Sequence, residues 1–409
     1  MPSPRRRLEA ADVETYVRQR CFSPSREGLV GIELERHVTP THRHGAVDHR
    51  ALQRVCAALD LPGGGRITFE PGGQLELSSP PCRGPSAACA VVDADLAVLD
   101  PAVEALGVRL VAQGLRPEAG DELVVASPRY LAMAAYLDQA GRCGRTMMCA
   151  TAALQVNLDT GGESDQARRW RLAHQLGPVL LACFANSPLP GPRTGGWRSG
   201  RSAAWAGIDP SRTLSALDGS DDPAATWTRY ALDARVMLIR VSGERFEPVL
   251  SPLPFGAWLH GGHELGFPTL EDLEYHLGTL FPPVRARGWL ELRMVDALPP
   301  PWWRVAAAVC AALLDDPEAA DAAGRASAPA AGLWTEAAQH ALAHPALAGA
   351  ARQCFAAALA ALPRLRADEA TVAAVAAYAE RFVAPGRCPA DETLAAAGST
   401  TRALEASWS

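Results

Sequence analysis

The chain has 409 residues, 48% of them hydrophobic, which is enough for one large or two ordinary domains with an ample core. A net charge of -6 argues against nucleic acid or an anionic membrane as the main partner. All 39 basic residues are arginine, which excludes a P-loop lysine, a Schiff-base lysine and a lysine general base.

No apolar run follows Arg5-Arg6-Arg7 and none has the length of a membrane span, so a soluble, cytoplasmic protein is expected. The ten cysteines are scattered without a Cys-x-x-Cys pair, a pattern that predicts buried, reduced thiols.

In chain order, Leu8 to Cys21 reads as a helix and Val30 to Val38 as a strand in which Glu33 and Glu35 alternate with Ile32 and Leu34. A helix over Val47 to Leu59 leads to a hairpin, Thr68 to Pro81. Glu70 precedes the break Pro71-Gly72-Gly73. Beyond it Gln74, Glu76 and Ser78 fall on one side of a strand, with Leu75 and Leu77 on the other. Pro85 to Leu106 is a predicted helix and Val108 to Gln113 a strand. Arg129 to Gln139 is a helix with Tyr130, Met133, Tyr136 and Leu137 at helical spacing; Tyr130 or Tyr136 is a candidate to line a pocket. Met147 to Asp159 reads as a strand carrying Gln155, Asn157 and Asp159, and Asp165 to Phe184 as an amphipathic helix.

A glycine- and proline-rich stretch then carries Arg198 and Arg201 between Trp197 and Trp205, a composition suited to gripping a carboxylate or phosphate. A strand over Val236 to Val241 and a helix over Leu270 to Leu280 precede a strand over Gly288 to Asp296, where Glu291 and Arg293 alternate with Leu290 and Leu292. Past Pro299-Pro300-Pro301 the chain is alanine-rich and helical in period. Residues 1–300 are therefore expected to form a sheet-bearing catalytic domain, with a helical segment, 301–409, packed on it.

Four strands thus share one design, apolar on one face and on the other Glu, Gln, Asn and a single Arg. Clustered carboxylates repel, and some must take up protons unless a cation lies among them. An all-oxygen ligand set suits Mg2+ or Mn2+ and not zinc.

The ordered motifs Gly31-Ile32-Glu33-Leu34-Glu35, Glu70-Pro71-Gly72-Gly73-Gln74-Leu75-Glu76-Leu77-Ser78, Gln155-Val156-Asn157-Leu158-Asp159, Phe184-Ala185-Asn186-Ser187-Pro188, Arg201-Ser202 with Trp205, and Leu290-Glu291-Leu292-Arg293 resemble those of ATP-dependent glutamate-cysteine ligases. The similarity is to the branch shared by plant enzymes and by bacterial ligases that feed ergothioneine synthesis. It implies an α+β, glutamine-synthetase-like fold, a curved antiparallel sheet with helices packed behind it. It also implies a reaction in which ATP phosphorylates the γ-carboxylate of L-glutamate and the amine of L-cysteine displaces phosphate. By the same resemblance Glu35, Glu70 and Glu76 hold one Mg2+, and Glu33 and Glu291 hold a Mg2+ shared with ATP. Gln155 is a ligand or orienting group, and Arg293 stands beside the transferring phosphoryl. Arg201 grips a substrate carboxylate, with Asn157, Gln74, Arg198 and Tyr130 as further substrate-binding candidates. Ala150 and Ala153 depart from the plant pattern and leave the amine acceptor open. The plant redox cysteines have no counterparts, so no regulatory disulfide is expected. A ligase for a different amine, or a non-catalytic homologue that binds an amino acid or nucleotide, are the competing readings.

Overall fold

Alternation along separate chain segments is resolved by joining them, edge to edge, into a single antiparallel sheet. The computed structural model describes residues 7–25, 28–42, 45–116, 118, 120–189 and 196–396. Its strands are β1 (Leu29–Pro40), β2 (Arg66–Phe69), β3 (Leu75–Ser78), β4 (Cys82–Arg83), β5 (Val108–Val111), β6 (Ala153–Asp159), β7 (Leu238–Ser242), β8 (Arg245–Pro248), β9 (Val284–Ala286) and β10 (Trp289–Asp296). The main sheet runs β2-β3-β1-β6-β10-β9, with β4 and β5 also paired to β1, and every pairing is antiparallel. β7 and β8 form a separate hairpin. The architecture is α+β, as the motif pattern implies.

One face of the sheet is dry. Ile32, Leu34, Leu75, Leu77, Leu154, Val156, Leu158, Leu290 and Leu292 are buried against the helices behind it. At roughly 1.5–3 kcal/mol for each large side chain removed from water, this face supplies much of the drive to close the layer. Helices Pro85–Glu104, Gln166–Cys183 and Trp303–Asp315 form that layer. The last of these belongs to the alanine-rich segment. Its small side chains allow a close approach to β1 and β6, and it shares one core with them.

Two local differences from the sequence reading matter for the site. The strand expected from Met147 starts only at Ala153, because Arg142–Ala150 is a helix. Thr151 ends it by donating its hydroxyl to the Met147 carbonyl at 2.6 Å, a local bond that competes with strand pairing. Arg201 lies not in a loop but on a short helix, Gly200–Ala206, capped by the Ser199 hydroxyl, which accepts from the Ser202 amide. β4, β8 and β9 were not expected from the sequence.

The turn that carries Glu70 depends on its glycines. The Gly73 amide donates to the Glu70 carbonyl at 2.8 Å with Gly73 at φ +83°, and a Cβ on Gly72 would lie 2.2 Å from the Cys149 carbonyl oxygen. Only glycine lets this turn press on the backbone of helix 142–150 while aiming Glu70 across the sheet. All ten cysteines are free thiols and eight are buried. Among the described residues no helix is long and apolar enough to cross a membrane.

Candidate active site

The other face of the sheet carries the chemistry, and strand register brings it together. Glu35 of β1 lies directly opposite Glu76 of β3, which in turn faces Thr68 of β2. One pleat along, Glu33 is flanked by Ser78 on β3 and Gln155 on β6. On the far side Asn157 of β6 faces Glu291 of β10, and Glu291 faces Arg285 of β9. Between Leu292 and Val295 a bulge adds one residue to β10. This keeps both Leu292 and Val295 on the dry face while Arg293 points back over Gln155.

These side chains open into a cavity of about 390 Å3, also lined by Glu70, Tyr130 and the arginines Arg66, Arg129, Arg285 and Arg287. Met133, Met147, Met148, Trp205 and Phe281 supply its apolar wall. Beyond Trp205, Phe281 and Arg293 lies a second, mostly apolar cavity of about 220 Å3, and it is this one that Arg201 lines.

The carboxylates divide into two electrostatic classes. Burial, then Glu291 and Glu76, pushes Glu33 up to about 7. Burial and Glu76 push Glu35 up to about 7, and burial with Glu35 and Glu76 pushes Glu70 up to about 8. Glu291 is the opposite case: burial alone would raise it, but Arg285 and Arg293 bring it down to about 2. Arg285 bonds both of its oxygens, and Arg293 donates to Oε1 at 3.2 Å.

The hydrogen bonds show what each group is free to do. Asn157 donates to Glu33 at 2.8 Å; Gln155 and the Ala153 amide donate to Glu35 at 3.0 and 2.7 Å. Thr68 and Ser78 donate their hydroxyls to the same Glu76 oxygen at 2.9 and 3.0 Å. The carbonyl oxygens of Gln74 and Asn157 are buried with no donor. Glu33 and Glu76 are each held at one oxygen and Glu35 at both; the remaining oxygens of the first two, together with the orphaned amide oxygens, fit a hard divalent cation better than any soft metal. Among the described residues no three acidic, imidazole or thiol side chains form a ready-made cage, so binding a cation requires side chains to turn toward it.

Of the residues singled out from the sequence, Glu33, Glu35, Glu70, Glu76, Glu291, Gln155, Gln74, Tyr130 and Arg293 line the acidic cavity, and Asn157 braces Glu33. Glu291 has arginine partners where a cation was expected. Arg201 donates to the Arg293 carbonyl at 2.8 Å and stands behind the cavity wall rather than in it. Arg198 is drawn away altogether, donating to Asp391 of the C-terminal segment at 2.9 Å. The sequence reading missed Arg285 and Arg287. The alternation Val284-Arg285-Ala286-Arg287 just ahead of the Glu291 strand was the available signal. Arg66 and Arg129, which flank recognised elements, were overlooked as well.

The raised carboxylates set the sign of a pH effect. The folded values of Glu33, Glu35 and Glu70 lie above the ordinary 4.5, so the folded protein binds more protons than the unfolded chain. Their stabilising contribution is complete below about pH 4.5 and is lost as pH rises through 7 to 8. Metal-free protein is therefore expected to lose stability on the order of 1–3 kcal/mol between pH 6 and 9, from these groups, after screening by water in the cavity. Saturating Mg2+ should restore more stability at pH 8.5 than at pH 6. Thermal unfolding at both pH values, with and without Mg2+, checks this; an Mg2+ effect that shrinks as pH rises would contradict it.

Comparison with known proteins gives the same picture. Residues 29–406 match the sequence profile of glutamate-cysteine ligase family 2 (GCS2). The chain is 43% identical over 337 residues to glutamate-cysteine ligase EgtA of Mycolicibacterium smegmatis, covering 80% of this chain and 78% of that one. It is 38% identical over 385 residues to EgtA of Mycobacterium tuberculosis, covering 92% and 88%. A chloroplastic glutamate-cysteine ligase of Nicotiana tabacum is 34% identical over 256 residues, covering 59% of this chain and 47% of the plant protein.

Proposed function

The chain belongs to glutamate-cysteine ligase family 2, and on that premise we propose that it joins the γ-carboxylate of L-glutamate to the amine of L-cysteine at the expense of ATP. The γ-carboxylate attacks the terminal phosphorus of ATP, ADP leaves, and the amine then displaces phosphate from γ-glutamyl phosphate to give γ-glutamylcysteine. The product serves ergothioneine or a related low-molecular-weight thiol, and the free thiols of the chain suit the cytoplasm as its place of work.

The observation that carries this reading is the half-buried group Glu33, Glu35 and Glu70 with buried Glu76, lining one cavity together with Arg66, Arg129, Arg285, Arg287 and Arg293. Glu35, Glu70 and Glu76 would hold one Mg2+, and Glu33 would face a second next to the nucleotide. Mg2+, or Mn2+ in its place, would supply positive charge against the phosphates during transfer. Glu291, which accepts from both Arg285 and Arg293, would hold these two cations in place for the phosphates, and would be a ligand of the second ion only in exchange for Arg285. Tyr130 and Gln74 also line the cavity, near Glu70 and Glu76, and are the candidates to contact the amino-acid substrates.

Purified protein given ATP, Mg2+, L-glutamate and a panel of amines, followed by phosphate release and product mass, tests the assignment. Cysteine should stimulate phosphate release and yield γ-glutamylcysteine. Stimulation by another amine alone would make it a ligase for that acceptor. Nucleotide binding with no stimulation by any amine would make it non-catalytic.

A further inference from the structure

We propose that Asp296 is a positioning residue for Arg293, acting through Arg201; this rests on the ligase reading, in which Arg293 meets the transferring phosphoryl. Asp296 ends β10 and is completely buried. Its Oδ2 accepts the Asn186 amide at 2.8 Å and the Ser187 hydroxyl at 2.6 Å, and its Oδ1 accepts the Ser199 hydroxyl at 3.0 Å. Two of these bonds lead to Arg201. The Arg201 amide donates to the Ser187 oxygen at 3.1 Å, and Ser199 caps the helix on which Arg201 rides. The guanidinium of Arg201 lies 3.8 Å from Oδ1, and its other end donates to the Arg293 carbonyl at 2.8 Å.

That carbonyl sits in the β10 bulge, where pairing with β6 lapses; the Arg293 amide is held from the other side by the Pro283 carbonyl at 2.9 Å, which leaves the carbonyl to be fixed. Arg201 takes over that task. It is itself 4% exposed, and Asp296 and Glu35 are the anions that stabilise its charge. An amide at position 296 offers one acceptor and two donors where three donors converge, so it cannot reproduce the arrangement. Gly114 backs the carboxylate closely on one side: a Cβ there would lie 2.5 Å from the Asp296 carboxyl carbon.

The test is a double-mutant cycle with Asp296→Asn, Arg201→Gln and the pair, measured as kcat and as KM for ATP. Each single change should lower kcat about 10- to 100-fold with KM for ATP within about threefold, the scale of a misplaced group. The double variant should be no slower than the slower single variant, because both act through one contact. Losses that multiply would show that Asp296 merely holds the fold, and would overturn the proposal. Should Asp296→Asn fail to fold, Ser187→Ala takes its place, since it breaks the relay and keeps the charge. Its smaller loss, about 3- to 10-fold, should vanish in the Arg201→Gln background, and a multiplied loss again overturns the idea. Wild-type protein without turnover would instead sink the ligase reading. The same cycle on the Kd of a nonhydrolysable ATP analogue with Mg2+ then reads the coupling directly: losses within about threefold that do not add in the double variant are expected, and additive losses overturn the proposal.

Discussion

Replacing Glu76 by Gln should lower turnover by about 100-fold or more while making the metal-free protein slightly more stable. The two effects have one cause. Glu76 stands directly opposite Glu35, and its charge contributes to holding Glu33, Glu35 and Glu70 above the ordinary carboxylate range. Gln is the same shape and keeps an oxygen to accept the Thr68 and Ser78 hydroxyls, so the hairpin loses no bond that it had. What disappears is a negative charge in a repulsive group, worth about 1 kcal/mol and a rise of about 1–3 °C in Tm. The same charge is what a divalent cation needs, so calorimetric Mg2+ affinity should fall at least about tenfold. Turnover within threefold of wild type, or a Tm several degrees lower, would show that Glu76 is an ordinary buried carboxylate of the sheet.

How far the sequence disclosed this site follows from which forces are local. Period-two alternation placed Glu33, Glu35, Glu76, Gln155, Asn157 and Glu291 on one face because a strand has only two faces and Leu or Ile occupied the other. Once the dry face is buried, convergence of the wet one follows from register alone. Arg198 and Arg201 were less legible. Their spacing invites a paired grip on an anion, yet Arg198 answers to Asp391, nearly two hundred residues later, and Arg201 to Asp296 and the Arg293 backbone. Partners so distant leave no local trace. Met147 to Ala150 misled for a related reason. An apolar run fits a buried strand or a buried helix equally well, and the Thr151 side chain decides between them only through its bond one turn back. The arginine pairing of Glu291 was easy to miss because the alternation that carries Arg285 is only Val284-Arg285-Ala286-Arg287, a signal too brief to stand out from a loop.

Arg293→Met should have the opposite electrostatic signature from Glu76→Gln while costing as much in rate. Arg293 lies in the cavity with Gln155 and Glu291 as acceptors, and its field lowers Glu33, Glu35 and Glu70. Burial, then Arg285, brings Arg293 itself down to about 10, so it stays charged throughout the working range. Without that cation beside the phosphates, kcat is expected to fall about 100- to 1000-fold. Glu291 keeps Arg285, so its side chain is not left uncompensated and the fold should persist. The three raised carboxylates, having lost a neighbouring positive charge, will hold their protons to still higher pH. The acidic limb of the kcat/KM profile, which reports their ionisation in the free enzyme, should therefore move up in Arg293→Met and down in Glu76→Gln. Arg293→Lys separates charge from geometry: the ammonium restores the limb toward its wild-type position, but without the planar guanidinium it has no second nitrogen to set beside Nη1 at the phosphates, so the rate recovers only in part. An acidic limb that stays put in both Arg293→Met and Glu76→Gln would mean that these groups do not govern cation binding. The rate loss would then have to come from distortion of the β10 bulge alone.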